Sequence, residues 1–273
     1  MACLRTVRGE WGAARPVEIV ADQVFVSCGA VQTPALLRRS GFTRNIGNSL
    51  RFHPMLKLVA EFAEDVNDPA DLDPVHQIKE FEPEIGMGCS ISKRPMLKLA
   101  LANHPDHIGR VESHWRRMGI YYVQTTGGTA SVRNLPFFHD PLVRVHHSDA
   151  DLRLFARGLK LLAEALLAAG AVAVYPSVAG YPVLRSVDDV RRLPDVFRGD
   201  DGSVTSVHVF SSCPMGEDEA KCATDSYGRL RGVEGLYIAD ASVLCGPTTV
   251  NPQGTVMAIT HRNVSHAIEK RFL

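Results

Sequence analysis

Three polar residues near the end of the chain have types and neighbours that could do chemistry together. His208 opens the run HVFSSCPMG, Asp240 ends the apolar stretch Gly235–Asp240, and Asn251-Pro252 opens a helical pattern. Histidine is the side chain best suited to moving a proton near neutral pH. A carboxylate at the C-terminal end of an apolar strand stands where open α/β sheets bind ligands. Asn before a proline at the first helical position is a strong helix cap, and its amide can also hydrogen-bond a substrate oxygen. Each residue has a plainer reading beside the chemical one: a strand histidine satisfied by hydrogen bonds, a turn-capping Asp, an Asn that only caps its helix.

Other clusters carry less. Six cysteines, at positions 3, 28, 89, 213, 222 and 245, form no C-x-x-C pair, so the expectation is no metal site and no disulfide framework. Ser211 and Ser212 lie in no G-x-S-x-G elbow, which argues against a serine hydrolase. Thirty Lys and Arg balance thirty Asp and Glu, which argues against nucleic acid as the main partner. No apolar run reaches the roughly 20 residues of a membrane span. The N-terminal residues lack the apolar core of a secretion signal, so the expectation is a cytoplasmic protein with reduced thiols.

The elements that must position these residues are of α/β type at both ends of the chain. Val17–Cys28 reads as two strand pieces, the second over 23–27. Gly29-Ala30 is a tight turn, and Thr33 as N-cap with Pro34 at the first position predicts a helix stopping at Ser40-Gly41. Residues 44–57 read as a loop. From 58 to about 122 short β-like runs alternate with Pro and acidic loops. Leu152–Ala169 is the clearest helix, capped by Asp149 or Asp151. Strands are predicted at 171–177, 204–209 and 235–240, a short helix at 188–193, and a last helix from Pro252 to about Arg271 with Val256, Ile259, Val264 and Ile268 facing the core. The expected organisation is a discontinuous domain, 1–57 with 206–273, around a β-rich insert, 58–205.

Four blocks resemble one family. GAVQTPALLRRSGF (29–42), NIGNSLRFHP (45–54), HVFSSCPMG (208–216), and DSYGRLRGVEGLYIADAS (225–242) followed by TTVNPQGTVMAI (248–259) are similar, in order, to segments of the glucose-methanol-choline (GMC) flavin oxidoreductases. The wording looks most like long-chain alcohol oxidases and choline-dehydrogenase-like proteins. The resemblance implies the C-terminal part of an FAD-binding Rossmann-like domain plus a β-sheet-rich substrate domain, an α/β (α+β) fold acting on the CH–OH group of a small-molecule alcohol. It makes His208 the base that takes the hydroxyl proton, with Asn251 on the substrate oxygen. FAD would be held by Gly29, Ala30, Asp240, Ala241, Asn251, Pro252, Gly254 and Thr255. The helix end at Gly254 and Thr255 would stabilise the reduced, anionic flavin. The family's G-x-G-x-x-G turn does not occur in these 273 residues; Gly86-Met87-Gly88 lacks the third glycine. The N-terminal dinucleotide-binding βαβ is therefore expected to be missing, and two readings follow: an enzyme completed by a separate N-terminal FAD-binding chain, or a non-catalytic remnant or substrate-binding subunit.

Overall fold

A computed structural model of the protein describes residues 2–8, 14–70, 76–198, 202, 204–248 and 250–272. In chain order the strands and helices are β1 (Ala2–Arg8), β2 (Ala14–Ala21), β3 (Val24–Val26), α1 (Gly29–Arg39), β4 (Leu50–Phe52), β5 (Met55–Phe62), β6 (Gln77–Ile78), β7 (Ile85–Ser90), α2 (Arg94–Ala100) and α3 (Arg110–His114). They continue with β8 (Met118–Thr125), β9 (Thr129–Arg133), β10 (Leu142–His146), α4 (Asp149–Ala168), β11 (Ala171–Pro176), α5 (Val187–Arg191), β12 (Val209–Phe210), β13 (Leu236–Ile238) and α6 (Gln253–Phe272). The chain divides into two compact units: Met1–Phe52, Thr129–His146 and His208–Leu273 form the first, and His53–Gly128 with His147–Val207 the second. Among the described residues no helix is long and apolar enough to cross a membrane.

The second unit is a five-stranded antiparallel sheet, β11-β5-β8-β7-β6, with helices on both faces. Residues alternate between the faces of β5. Leu56, Leu58 and Ala60 pack on α4 through Phe155, Leu159, Leu162 and Leu166. Val59 points the other way, to Leu97, Leu101, Val111 and Trp115 around α2 and α3. Gly158 lets α4 approach the sheet, since a Cβ there would lie 2.6 Å from Val123 Cγ2. A capping box of Ser148 with Asp151 starts α4, so the cap is the serine rather than either expected aspartate. The two short helices α2 and α3 do not show in the sequence pattern, because five to seven residues give too few turns for a period to register.

A half-buried ion pair ties this sheet to α3. Glu61 in β5 is 4 % exposed; its carboxylate accepts from Arg110 at 2.6 Å and from Tyr175 Oη, on the adjacent β11, at 2.8 Å. Burial pushes the Glu61 carboxyl up, but the hydrogen bonds from Arg110 and Tyr175 and the guanidinium charge outweigh it and hold it below the usual carboxylate range. Burial, followed by the hydrogen bond to that carboxylate, pushes the Tyr175 phenol up to about 12. A carboxyl depressed by folding stabilises above its unfolded value, about 4.3, and that contribution is lost as pH falls through the folded value. Wild type should therefore exceed Glu61→Gln in stability by about 1–2 kcal/mol near pH 7, a value reduced because Arg110 is half-exposed, and the gap should close below about pH 4. Urea titrations across this range check it; a gap independent of pH would contradict it.

The first unit holds the remaining sheets: the antiparallel β1-β2 pair, the antiparallel β10-β9-β4-β12 sheet and the parallel pair β13-β3. Three expectations change here. The helix α1 begins at Gly29, not at Pro34, which lies within its second turn; no local side chain caps it. Part of the expected 44–57 loop is strand, β4 and the start of β5. Of the expected 204–209 strand, only Val209 enters a ladder, as the first residue of β12, while Thr205 makes an isolated bridge to Met55 and Val207 is 73 % exposed. The C-terminus of α1 stops as expected: Gly41 at φ +91° lets Phe42 N–H reach Leu37 O and Gly41 N–H reach Arg38 O, a Schellman arrangement. On α6, among the described residues, Asn263 and Ala267 are buried and Ile259 packs on the core as expected, with Val256 and Val264 part-buried, while Ile268 is 47 % exposed.

Candidate active site

Asp240 organises the site. Its strand, β13, lies parallel to β3 in the register Leu236↔Val24, Tyr237↔Phe25, Ile238↔Val26, so the two chains leave the sheet side by side as Asp240-Ala241 and Cys28-Gly29. Asp240 is 8 % exposed, and its carboxylate accepts from Gly29 N–H at 3.0 Å, Thr33 Oγ1–H and Ser242 N–H at 2.8 Å. Thr33 in turn accepts from Cys28 N–H. The start of α1 is thus capped from 211 residues away, and Thr33, read as an N-cap, is instead a buried link between helix and strand end.

The His208 block is joined to the same turn. β12 pairs with β4, and the backbone beyond it runs beside Ala241–Val243: Ser211 N–H donates to Ala241 O, Cys213 N–H to Ser242 O and Met215 N–H to Val243 O. Gly47 N–H donates to Ser212 O, and Ser49 Oγ–H to Ser211 O. His208, half-buried, stands one residue before β12. Buried Cys213 has its thiol pushed up to about 12, by burial first and then by the charge of Asp240. With those neighbours it stays a protonated thiol near neutral pH. Among the described residues no group of three or more His, Cys, Asp and Glu is arranged to hold a metal.

Asn251 is exposed and Pro252 buried, immediately before α6. The helix is tied down further along. Arg262 lies over the Tyr227 ring and donates to Ser226 O, His266 stacks on Tyr227 at 3.6 Å, and Asn263 Nδ2–H points at Met215 Sδ. Met215 therefore contacts both the Ala241–Val243 turn and α6. The segments carrying Gly29, Asp240, His208 and Asn251 are built into one unit, and Asp240, Gly29, Thr33 and Ser242 are directly bonded. A cavity of about 770 Å³ lined by Phe42, Arg44, Ile46, Arg231 and Val233 lies at the other end of α1, and no predicted site residue lines it.

A dinucleotide cofactor fits the residues present. Cβ atoms added at Gly29 and Gly254 would meet nothing within 4 Å, so the backbone at the strand ends and at the start of α6 opens onto free space. The Asp240 carboxylate has about four acceptor positions, three of them filled. Backbone N–H groups, small residues and the carboxyl ends of parallel strands are what a pyrophosphate-linked ligand needs.

The parallel pair β13-β3, feeding a helix and a polar turn, beside antiparallel sheets makes the protein one of mixed α/β class. Two family models described as GMC oxidoreductase match the chain, the N-terminal one over residues 4–55 and the C-terminal one over residues 137–260. The chain belongs to the GMC oxidoreductase family. It is 39 % identical to an uncharacterized GMC-type oxidoreductase, y4nJ, of Sinorhizobium fredii, over 92 % of this chain and 50 % of that one. It is 26 % identical to long-chain-alcohol oxidase FAO4A of Arabidopsis thaliana, over 93 % and 39 %. The fold is similar to a structure of formate oxidase from Aspergillus oryzae RIB40, with a TM-score of 0.66 at 16 % identity over 95 % and 56 %. The chain spans about half or less of the length of the curated relatives it matches.

Proposed function

We propose that the chain is the catalytic and C-terminal cofactor-binding part of an FAD-dependent oxidoreductase that oxidises the CH–OH group of an alcohol. What supports this best is the tying of the HVFSSCPMG run to the Ala241–Val243 turn through backbone hydrogen bonds from Ser211, Cys213 and Met215, which joins the segment following His208 to the polar end of β13. Alcohol oxidation appears in the name of a relative, and FAD in the description of a structural neighbour.

In this reading bound FAD supplies the acceptor for the carbinol hydride. The chain's own residues do the rest. His208 takes the hydroxyl proton, and Asn251 donates to the substrate oxygen and fixes the carbinol carbon. Gly29, Ala30 and Ala241 present backbone to the cofactor. Asp240 holds the strand ends and keeps one acceptor position for a cofactor hydroxyl. Gly254 and Thr255 N–H groups at the positive end of α6 favour negative charge on the cofactor, with Pro252 fixing where that end begins. The first unit is the FAD-binding part and the second the substrate domain.

A second reading, in which this chain holds FAD only with a further G-x-G-x-x-G strand–turn–helix, rests on β3. Val24 N–H and Val26 O are bonded toward β13, so Phe25 N–H and C=O face the outer edge, where no partner is found among the described residues. Strands of parallel sheets are ordinarily paired and covered. The test is the visible spectrum of the chain purified with FAD, alone and co-expressed with such a segment. Near-stoichiometric flavin only in the co-expressed sample is expected. Flavin bound by the chain alone would sink this second reading, and colourless protein in both would sink the first.

A further inference from the structure

The β9–β10 hairpin ends in the loop Asn134–Pro141, NLPFFHDP, which the flavin reading does not use. Phe137 is fully exposed, at 106 %, and Phe138 is 71 % exposed. Phe137 also has φ +69°, in the left-handed region that a bulky residue rarely adopts. The protein thus holds an exposed ring on a strained backbone, and no packing among the described residues compensates. The loop is firmly held at its base: Asn134 Nδ2–H donates to Ala35 O, Val132 is buried, and its N–H donates to Gly47 O.

Arginines stand on both strands of the hairpin and on α1 beside it. Arg133, register partner of Leu142, donates to Gly47 O and Asn48 Oδ1, and Arg38 donates to Ile46 O. Arg38 and Arg133 both lie against Gly47, where an added Cβ would be 3.5 Å from Arg38 Cδ and whose O accepts from Arg133, and Arg144 stands diagonal to Arg133 across the β9–β10 ladder. None of them has a carboxylate within 4 Å among the described residues. The one acid in the loop, Asp140, has His139 at 3.6 Å.

We propose that this hairpin is a membrane-surface anchor, with the Phe137–Phe138 tip entering the interface of an anionic lipid bilayer and Arg38, Arg133 and Arg144 meeting its headgroups. Two rings offer roughly 300–500 Å², well short of the roughly 800 Å² per partner of a stable protein interface, whereas a shallow apolar wedge backed by unpaired cations matches an acidic lipid surface. Penetration stops at the headgroup boundary, since a turn carries backbone groups that hydrocarbon cannot satisfy. The inference is independent of the flavin reading and of which alcohol is oxidised.

Co-sedimentation of the purified chain with phosphatidylcholine vesicles, with and without phosphatidylserine, tests it. Binding is expected only to the anionic vesicles, weakening as salt is raised. The double substitution Phe137→Ser/Phe138→Ser should lower it about tenfold or more, and Arg144→Gln roughly fivefold. Both rings are exposed, so the double variant should keep the wild-type melt, and Arg144→Gln reads the charge independently. Failure to bind, equal binding to neutral vesicles, a double variant that binds like wild type, or a double substitution that instead dissolves a dimer seen by light scattering would each overturn the proposal.

Discussion

Replacing His208 with alanine is expected to slow alcohol-dependent flavin reduction by about 10²–10⁴-fold while leaving flavin content unchanged. The size follows from the work assigned to the imidazole: without a base, the carbinol hydroxyl must lose its proton to water while its hydride leaves. The flavin content follows from the structure. His208 stands before β12, and the bonds joining this segment to Ala241–Val243 are backbone bonds from Ser211, Cys213 and Met215, which the substitution does not touch. His208→Gln, which keeps a polar group of similar reach, should be as slow as alanine if proton transfer is the role. A loss under tenfold in either variant, with the flavin spectrum intact, would remove His208 from the chemistry.

The second large effect is on stability. Asp240→Ala strips the acceptor from Gly29 N–H, Thr33 Oγ1–H and Ser242 N–H at a position 8 % exposed. Each buried donor left unmet costs about 1–3 kcal/mol, so the first unit should lose about 3 kcal/mol or more. Asp240→Asn is the informative companion. It keeps one acceptor oxygen but turns an NH₂ toward Gly29 and Thr33, both of which donate, and should cost about 1–3 kcal/mol. Hydrogen exchange locates the damage: residues 27–35 should lose protection in both variants, alanine more than asparagine, while α4 in the other unit is unchanged. Protection at 27–35 equal to wild type in Asp240→Ala would show that Asp240 does not hold α1.

What the sequence makes legible follows the range of the forces involved. The helix α4 is set by apolar periodicity and appears where the pattern predicts. The stop of α1 is legible because a glycine at positive φ is a local requirement. The start of α1 is not, because its cap is the Asp240 carboxylate, distant in sequence, and the local Thr-Pro signal points five residues downstream. The last turns of α6 are misjudged for a related reason: Ile259 packs on the core as expected, but Asn263 is buried against Met215 and Gly228, a contact no hydropathy pattern can indicate, while Ile268 stays in solvent. The four family blocks are individually short and far apart. The hydrogen bonds between 29–33 and 240, 47–49 and 211–212, and 211–215 and 241–243 supply the physical reason they occur together.

Under the proposed function a hydride leaves the carbinol carbon of an alcohol. The direct measurement is anaerobic mixing of the flavin-loaded protein with a long-chain primary alcohol and with the same alcohol deuterated at the carbinol carbon, following loss of the oxidised-flavin absorbance. The predicted result is bleaching by both, clearly slower with the deuterated alcohol. Flavin that stays oxidised across a series of short- and long-chain alcohols would contradict it.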